Sequence, residues 1–418
     1  MGRNTNRRGW PTLSCRALSV WFGLALLVAA CSGGGDDAES GGQTNGAGTE
    51  SDGSASADST DDGGNEPGAL IPTSDDQDET AVDAASPDGD APNDDVGTSP
   101  GGDTIPRQNA QFADDPPGEG EAVYTGQGVP DPSVLARPAL AVKIDNVDAA
   151  RPQAGINQAD VVFEEMVEGG LTRLLAVFHS NDPDSVGPVR SARSTDIPLL
   201  MPLANPLFSW SGSNAAFAEV LRTTAIVDAG VDSNPGLYVR RDDRTAPSNL
   251  FSSPERLRQV TPADTLSPRP MFSFALPRES LGAGARDVAG VDIDFGSTEV
   301  EFRWNSVASG WARDQNGTPH VDDEGFQVAP TNLIVVVAVY ENTPFVDSNG
   351  APVPEAQIYS GRGDAWMFAN GQVIEGTWYK ENATRAMIFL DSEGNRVKQV
   401  PGRSWVILAP AGTAAIVN

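Results

Sequence analysis

Ala159–Ser180, ADVVFEEMVEGGLTRLLAVFHS, is the stretch whose reading decides the fold. Two runs rich in Val, Leu and Phe flank Gly169-Gly170, and a glycine pair between such runs signals a tight β-hairpin. With the two glycines as central residues, Glu168 faces Leu171, Met166 faces Arg173 and Glu164 faces Leu175. Residues two apart share a strand face. Glu164, Glu168 and Arg173 then project to one side, Arg173 lying diagonal to both carboxylates. Phe163, Val167, Leu174 and Phe178 fill the opposite, apolar side. The charged side is either a surface salt-bridge group or the floor of a polar pocket.

Upstream, Ala139–Asn146 (ALAVKIDN) reads as a short buried strand that closes in a polar turn at Asp145-Asn146, followed by the rigid Arg151-Pro152-Gln153. Downstream, GPVRSAR (187–193) sets Arg190 and Arg193 three apart. On a helix start they would share a face beside free backbone N–H groups, an arrangement suited to a carboxylate or phosphate. Arg240, Arg241 and Arg244 add positive charge nearby. Helices are expected through Ala215 to Arg222, after a Ser213-Asn214 cap, and from Ser253-Pro254.

LSPRP (266–270) reads as a domain boundary. Beyond it strand-like runs follow one another: VEFRWNSV, NLIVVVAVY, AWMFANGQVIEGTWYK, RAMIFLDSEGNRVKQV and SWVILAP, with turns at Asn370-Gly371 and Glu393-Gly394-Asn395. The fold expected is α/β: a layered sheet-plus-helix domain over 119–267, then a mostly antiparallel β domain over 268–418.

The first 118 residues read differently. Arg3, Arg7, Arg8 and Arg16 precede or open an apolar stretch from Ala17 to Ala30 that ends on Ala-Ala-Cys31. These 14 residues fall short of the roughly 20 that span a bilayer. They fit a lipoprotein signal peptide over 1–30, exported by the general secretory route, with Cys31 taking a diacylglycerol (palmitate-type) anchor. The other cysteine, Cys15, lies in the leader, so no disulfide is expected. Between Ser32 and Pro106 there are 19 Asp or Glu and no Lys or Arg, a large part of the net charge of -30. With almost nothing to bury, residues 31–118 read as a disordered acidic tether, whose coil would span about 50 Å. The cell membrane, through this anchor, is the expected partner, at its extracytoplasmic face. Acidity argues against nucleic acid.

Enzyme signatures are sparse. There are two histidines, His179 and His320. His320 with Asp322 and Asp323 is a weak ligand set, so no metal is expected. SWSGS (209–213) is not a nucleophile elbow, and Gly361-Arg362-Gly363 lacks the rest of a dinucleotide loop, so no cofactor is expected. Glu164 and Glu168 would emerge about 13 Å apart along a strand, beyond the roughly 5–9.5 Å of a glycosidase pair.

RPALAVKIDNVDAARPQAGINQADVVFEEMVEGGLTRLLAVFHS, followed by GPVRSARSTDI and RTAPSNLF, resembles the YerB-like lipoproteins, bacterial surface proteins without an assigned activity. GWARDQNGTPHVDD, NLIVVVAVY, GRGDAWMFANGQVIEGTWYK and PGRSWVIL resemble their second region. The likeness runs from about Leu135 to the end. It implies a layered α/β fold for the first part, and it puts Asp145, Asn146, Arg151, Glu164, Glu168, Gly169, Gly170, Arg173, Arg190 and Arg193 on the hallmark motifs. Relatives often carry His where this chain has Ser248, so the resemblance carries no histidine-dependent mechanism to that position.

The leading functional reading is a tethered binding or accessory protein for an anionic envelope ligand, a wall polymer or peptidoglycan fragment. Its ligand-binding residues would be Asp145, Asn146, Arg151, Glu164, Glu168, Arg173, Arg190 and Arg193. One alternative is an envelope-polymer hydrolase or transferase with Glu164, Glu168 or Asp145 as acid and base. Another is a structural or protein-interaction module in which these charges only lock the hairpin in place. Geometry separates the readings: either the side chains line an open cleft, or they interlock.

Overall fold

The computed structural model describes residues 117–418 except 214, 277, 278, 280, 348 and 349. The leader, Cys31 and the tether up to residue 116 lie outside the described residues.

The first half supplies β1 (Leu140–Asp145), β2 (Val161–Met166), β3 (Thr172–Phe178), α1 (Asp196–Leu200), β4 (Leu207–Ser209), α2 (Ala215–Arg222), β5 (Val227–Asp228), β6 (Val239–Arg240), β7 (Leu250–Phe251) and α3 (Pro254–Leu257). The second half is built of strands: β8 (Arg286–Asp287), β9 (Gly290–Asp294), β10 (Glu299–Asn305), β11 (Gly310–Gln315), β12 (Thr318–Pro319), β13 (Asn332–Ala338) and β14 (Tyr340–Val346). After these come β15 (Pro352–Ala356), β16 (Gly361–Ala369), β17 (Gln372–Lys380), β18 (Ile388–Leu390), β19 (Ser404–Pro410) and β20 (Ala414–Val417).

One eleven-stranded sheet runs β18-β17-β16-β13-β19-β2-β3-β1-β4-β5, with β8 added beside β17. β19 lies parallel between β13 and β2, so chain from both sides of residue 267 enters the same sheet. Its central strands are covered on both faces, which is why they read as near-continuous apolar runs rather than alternating ones. On one face Phe163, Leu175, Val177 and Leu408 pack against Ile197 and Leu200 of α1 and Phe217 and Leu221 of α2. On the other, Val162, Leu174, Phe178 and Trp405 pack against Phe302 and Trp311 of a second, antiparallel sheet ordered β12-β11-β10-β9-β20. Each such fully buried side chain contributes about 1.5–3 kcal/mol over its exposed state.

Local signals behave as their chemistry requires. Asn370 and Gly371 both take left-handed φ, 51° and 76°, and close β16 onto β17 as a two-residue turn. The Ser253 side chain accepts from the Arg256 amide at 3.3 Å and starts α3.

The hairpin forms, but its register differs from the sequence expectation by one residue. Glu164 faces Leu174, Glu165 faces Arg173 and Met166 faces Thr172. The connection is longer than two residues: Val167 donates to the Leu171 carbonyl at 2.8 Å across a single 3-10 turn, Glu168–Gly170. Gly170 holds φ 71°, and a Cβ there would sit 2.4 Å from the Phe295 carbonyl oxygen. The turn is thus fitted against the loop before β10, with Ser297 donating to the Gly170 carbonyl at 3.1 Å. A one-residue slip turns every side chain over. Glu164 and Arg173 therefore point to opposite faces, as do Phe163 and Leu174.

Candidate functional site

An open cleft of about 800 Å³ lies over the helix-covered face at the ends of β1 and β3. Asp145 and Arg173 are on its floor, and the Val167–Thr172 turn and the 190–194 segment form its sides. Phe217 of α2 and the β14–β15 hairpin, through Phe345 and Val353, complete the wall. Of the residues singled out from sequence, Asp145, Glu168, Arg173, Arg190 and Arg193 line this cleft.

The 187–194 segment is not a helix. Its backbone groups are spent elsewhere: Arg190 N donates to the Lys143 carbonyl at 2.8 Å, the Pro188 carbonyl accepts from Asp145 N at 3.0 Å, and Ala192 N donates to the Gly212 carbonyl at 3.1 Å. The segment runs extended along the outer edge of β1, and α1 begins only at Asp196. The helix-start reading of Arg190 and Arg193 is thereby corrected; they reach the cleft from an extended strand edge.

The three arginines differ in how far they are committed. Arg193 grips Glu168 bidentately, Nε to Oε1 at 2.6 Å and Nη2 to Oε2 at 2.8 Å. Burial alone would raise the Glu168 carboxyl, but the hydrogen bonds and charge of Arg193 outweigh it and hold it below the ordinary range. Arg190 is half-exposed, with Nε 3.3 Å from Asp145 Oδ2 and no hydrogen-bond partner for that Nε among the described residues. Asp145 Oδ2 also accepts from the Ser248 hydroxyl at 3.0 Å. Arg173 is only 8% exposed. Its Nη1 donates to the Ser191 carbonyl at 2.9 Å, and among the described residues no carboxylate closes an ion pair with it. Desolvation, with Arg193 nearby, outweighs the opposing charges of Glu168 and Asp145 and pulls its guanidinium down to about 10. The Ser194 hydroxyl on the same wall is buried and has no partner among the described residues.

Glu164, Asn146 and Arg151 do not line the cleft. Turned by the register to the other face, Glu164 accepts from Arg313 Nη2 at 2.7 Å, the Thr172 hydroxyl at 2.9 Å and Trp405 Nε1 at 3.0 Å. Arg313 Nη1 meets His320 Nδ1 at 2.7 Å, and His320 Nε2 meets Gln153 Oε1 at 2.7 Å. Because an arginine only donates, Nδ1 accepts and the proton sits on Nε2. Burial, reinforced by the Arg313 charge, keeps this imidazole neutral, far below its usual range. Both ring nitrogens are therefore occupied, and no metal-ligand group of His, Cys, Asp and Glu forms among the described residues. Asn146 belongs to the same network, donating to Gln315 Oε1 at 2.9 Å and to the Thr172 hydroxyl at 2.7 Å. Arg151, itself largely buried, pairs with the exposed Asp148. Arg241 and Arg244 stack on Phe251 at 4.7 and 5.4 Å and, like Arg240, stay out of the cleft. Both geometric alternatives are thus realised, on opposite faces of one hairpin: an open cleft above, interlocked charges below. Glu164 and Glu168 share no common space, so they do not form a paired-carboxylate site.

Beneath the cleft floor lie three charged residues that were not singled out from sequence. Lys143, Glu165 and Asp196 are completely or almost completely buried, at 0%, 1% and 0% exposure. Lys143 Nζ pairs with Glu165 Oε1 and, at 2.7 Å, with Asp196 Oδ1. Asp196 Oδ2 accepts from Arg193 N at 2.7 Å, tying this group to the cleft wall. The available signal was a lysine inside the apolar run ALAVKID, which no exposed strand face would explain.

Residues 124–267 match the family described as "Protein of unknown function (DUF3048) N-terminal domain", and residues 291–406 match its C-terminal domain. The chain belongs to this family. It is 28% identical over 290 residues to the Bacillus subtilis (strain 168) protein named "Putative lipoprotein YerB", covering 68% of this chain and 85% of that one. The crystal structure of the YerB protein from Bacillus subtilis superposes with a TM-score of 0.62 at 27% identity, over 71% of this chain and 99% of the other. The fold is therefore common to both: strands dominate, helices cover one face of the first part, and the second part is largely antiparallel sheet.

Proposed function

We propose that this is a membrane-anchored extracytoplasmic lipoprotein whose cleft binds an anionic group of a cell-envelope polymer, a wall polymer or peptidoglycan fragment. The observation that carries the binding reading is Arg173, a nearly buried guanidinium on the cleft floor that no carboxylate among the described residues meets at ion-pair distance, Glu168 and Asp145 acting on it only from further off. Removing a cation from water is costly unless a counter-charge meets it, and an incoming anion supplies one. The half-exposed Arg190 and the unpartnered Ser194 hydroxyl offer further donors on the same walls. Support for the anchor comes from Cys31 after its apolar leader and from the lipoprotein named among the relatives. No helix among the described residues is long and apolar enough to cross a membrane.

The test is equilibrium binding of the mature protein to purified anionic wall polymers and to soluble peptidoglycan fragments. Arg173→Ala combined with Arg190→Ala is expected to weaken binding at least about tenfold, as loss of a desolvated charge contact does. Unchanged binding with the fold intact rejects the cleft.

A further inference from the structure

Resting on that reading, we infer that anion binding in the cleft is coupled to proton uptake by the buried Lys143–Glu165–Asp196 cluster beneath its floor. Asp145, Arg173 and Glu165 form one row across β1, β3 and β2, Arg173 facing Asp145 on one side and Glu165 on the other. Glu165 leans to Lys143, while its Oε2 finds no hydrogen-bond partner among the described residues. The cluster thus holds one ammonium and two carboxylates, all out of water. Fully ionised, it carries a net negative charge that a low-dielectric interior resists.

Lys143 offsets part of that charge within the cluster, and from the cleft side Arg193 adds to it. The groups facing Glu165 are Lys143 from β1, Arg173 from β3, Asp196 from α1 and, through its charge, Arg193. Tyr340 of β14 also approaches, but its hydroxyl is taken up, donating to the Leu408 carbonyl at 2.9 Å and accepting from Met166 N at 3.1 Å. An anion seated on Arg173 and Arg190, in the cleft that Arg193 also lines, brings a further negative charge towards Glu165 and draws on the Arg193 charge that had helped to compensate it. The carboxyl answers by taking a proton from solvent, cancelling the cluster's excess charge. Its starting point suits this: burial, opposed by Lys143, has pushed the Glu165 carboxyl up to about 7. Asp196 adds a mechanical link, since the same carboxylate that meets Lys143 holds the Arg193 amide.

The consequence is an affinity that tightens as pH falls, by at most tenfold per pH unit for one proton, centred near neutrality. The experiment is calorimetric titration of the mature protein with sulfate and with polyglycerol phosphate, between about pH 6 and 8. Neither probe changes its own charge in that window. Each titration is run in two buffers of different ionisation enthalpy, so that proton uptake is read directly. Uptake of up to one proton and tighter binding at pH 6 are expected, and Glu165→Gln should bind with a flat pH profile and no uptake. If that variant does not fold, the two-buffer measurement on the unaltered protein decides alone. Anion binding without proton uptake overturns the coupling and leaves the cleft intact. Uptake that persists in folded Glu165→Gln also overturns it, because another group is then responsible. Failure of both probes to bind at any pH removes the cleft reading as well. Sulfate binding with proton uptake, but without polymer binding, supports the coupling and makes the ligand a small free oxyanion.

Discussion

Glu164 and Arg313 meet at 2.7 Å with no solvent exposure on either side chain, across 149 residues of chain. The pair ties the hairpin of the first half to β11 of the second. Breaking one side of a buried pair leaves the other charge unmatched, at about 3–5 kcal/mol. Arg313→Ala is expected to lose that much in urea unfolding, whereas Glu164→Leu with Arg313→Met should recover most of the loss. A single substitution costing under about 1 kcal/mol would mean the pair is not held as described.

Lys380, at the end of β17, is buried with its ammonium on the Pro198 carbonyl and no paired carboxylate among the described residues. Desolvation brings it from 10.5 down to about 7. The native state then binds fewer protons than the unfolded chain between pH 7 and 10.5, so stability rises with pH across that window and the full penalty applies below it. Lys380→Met is expected to stabilise the protein at pH 6 by on the order of 2–3 kcal/mol and to flatten the upper limb of the stability profile. Equal stability gains at pH 6 and pH 10.5 would contradict this.

Gly169 and Gly170 both hold left-handed φ, but only Gly170 is pressed against neighbouring backbone. Gly169→Ala is expected to cost about 1 kcal/mol, the conformational strain alone. Gly170→Ala should cost distinctly more, about 2–3 kcal/mol, because the Phe295 carbonyl must move. Thermal unfolding of the two variants, side by side, checks the order.

Glu168 neutralises Arg193 at the cleft edge. Replacing it with Gln frees a guanidinium for ligand, so Glu168→Gln is expected to tighten anion binding by about three- to tenfold. An acid–base catalyst at this position would instead lose turnover. Titration with polyglycerol phosphate, beside an assay of wall-polymer release, separates the two.

Cys31→Ser should abolish incorporation of a labelled fatty acid and release the protein from the membrane fraction. Retained label would place the anchor elsewhere.

Where the sequence was legible, the physics was local. The runs of β1, β13 and β19 are apolar throughout because both faces are covered, and Asn370-Gly371 closes its turn without help. The hairpin was legible as a hairpin but not in register, since Gly170 seats against Phe295, 125 residues further on, and nothing in the Gly-Gly pair announces that contact. That single offset moved Glu164 out of the site and put Glu165 beside Arg173. Lys143 was hidden for a related reason: its partners Glu165 and Asp196 are assigned only once strand facing and the course of 187–196 are known. The parallel placement of β19 between two strands of different halves lies wholly beyond pattern reading.

That last placement fixes when the protein is complete. β19 is the keystone between β2 and β13, yet it is synthesised after every other strand of the large sheet. A growing chain that has not yet reached Ser404 holds two unjoined flanks with open edges, so assembly must wait until the late residues arrive.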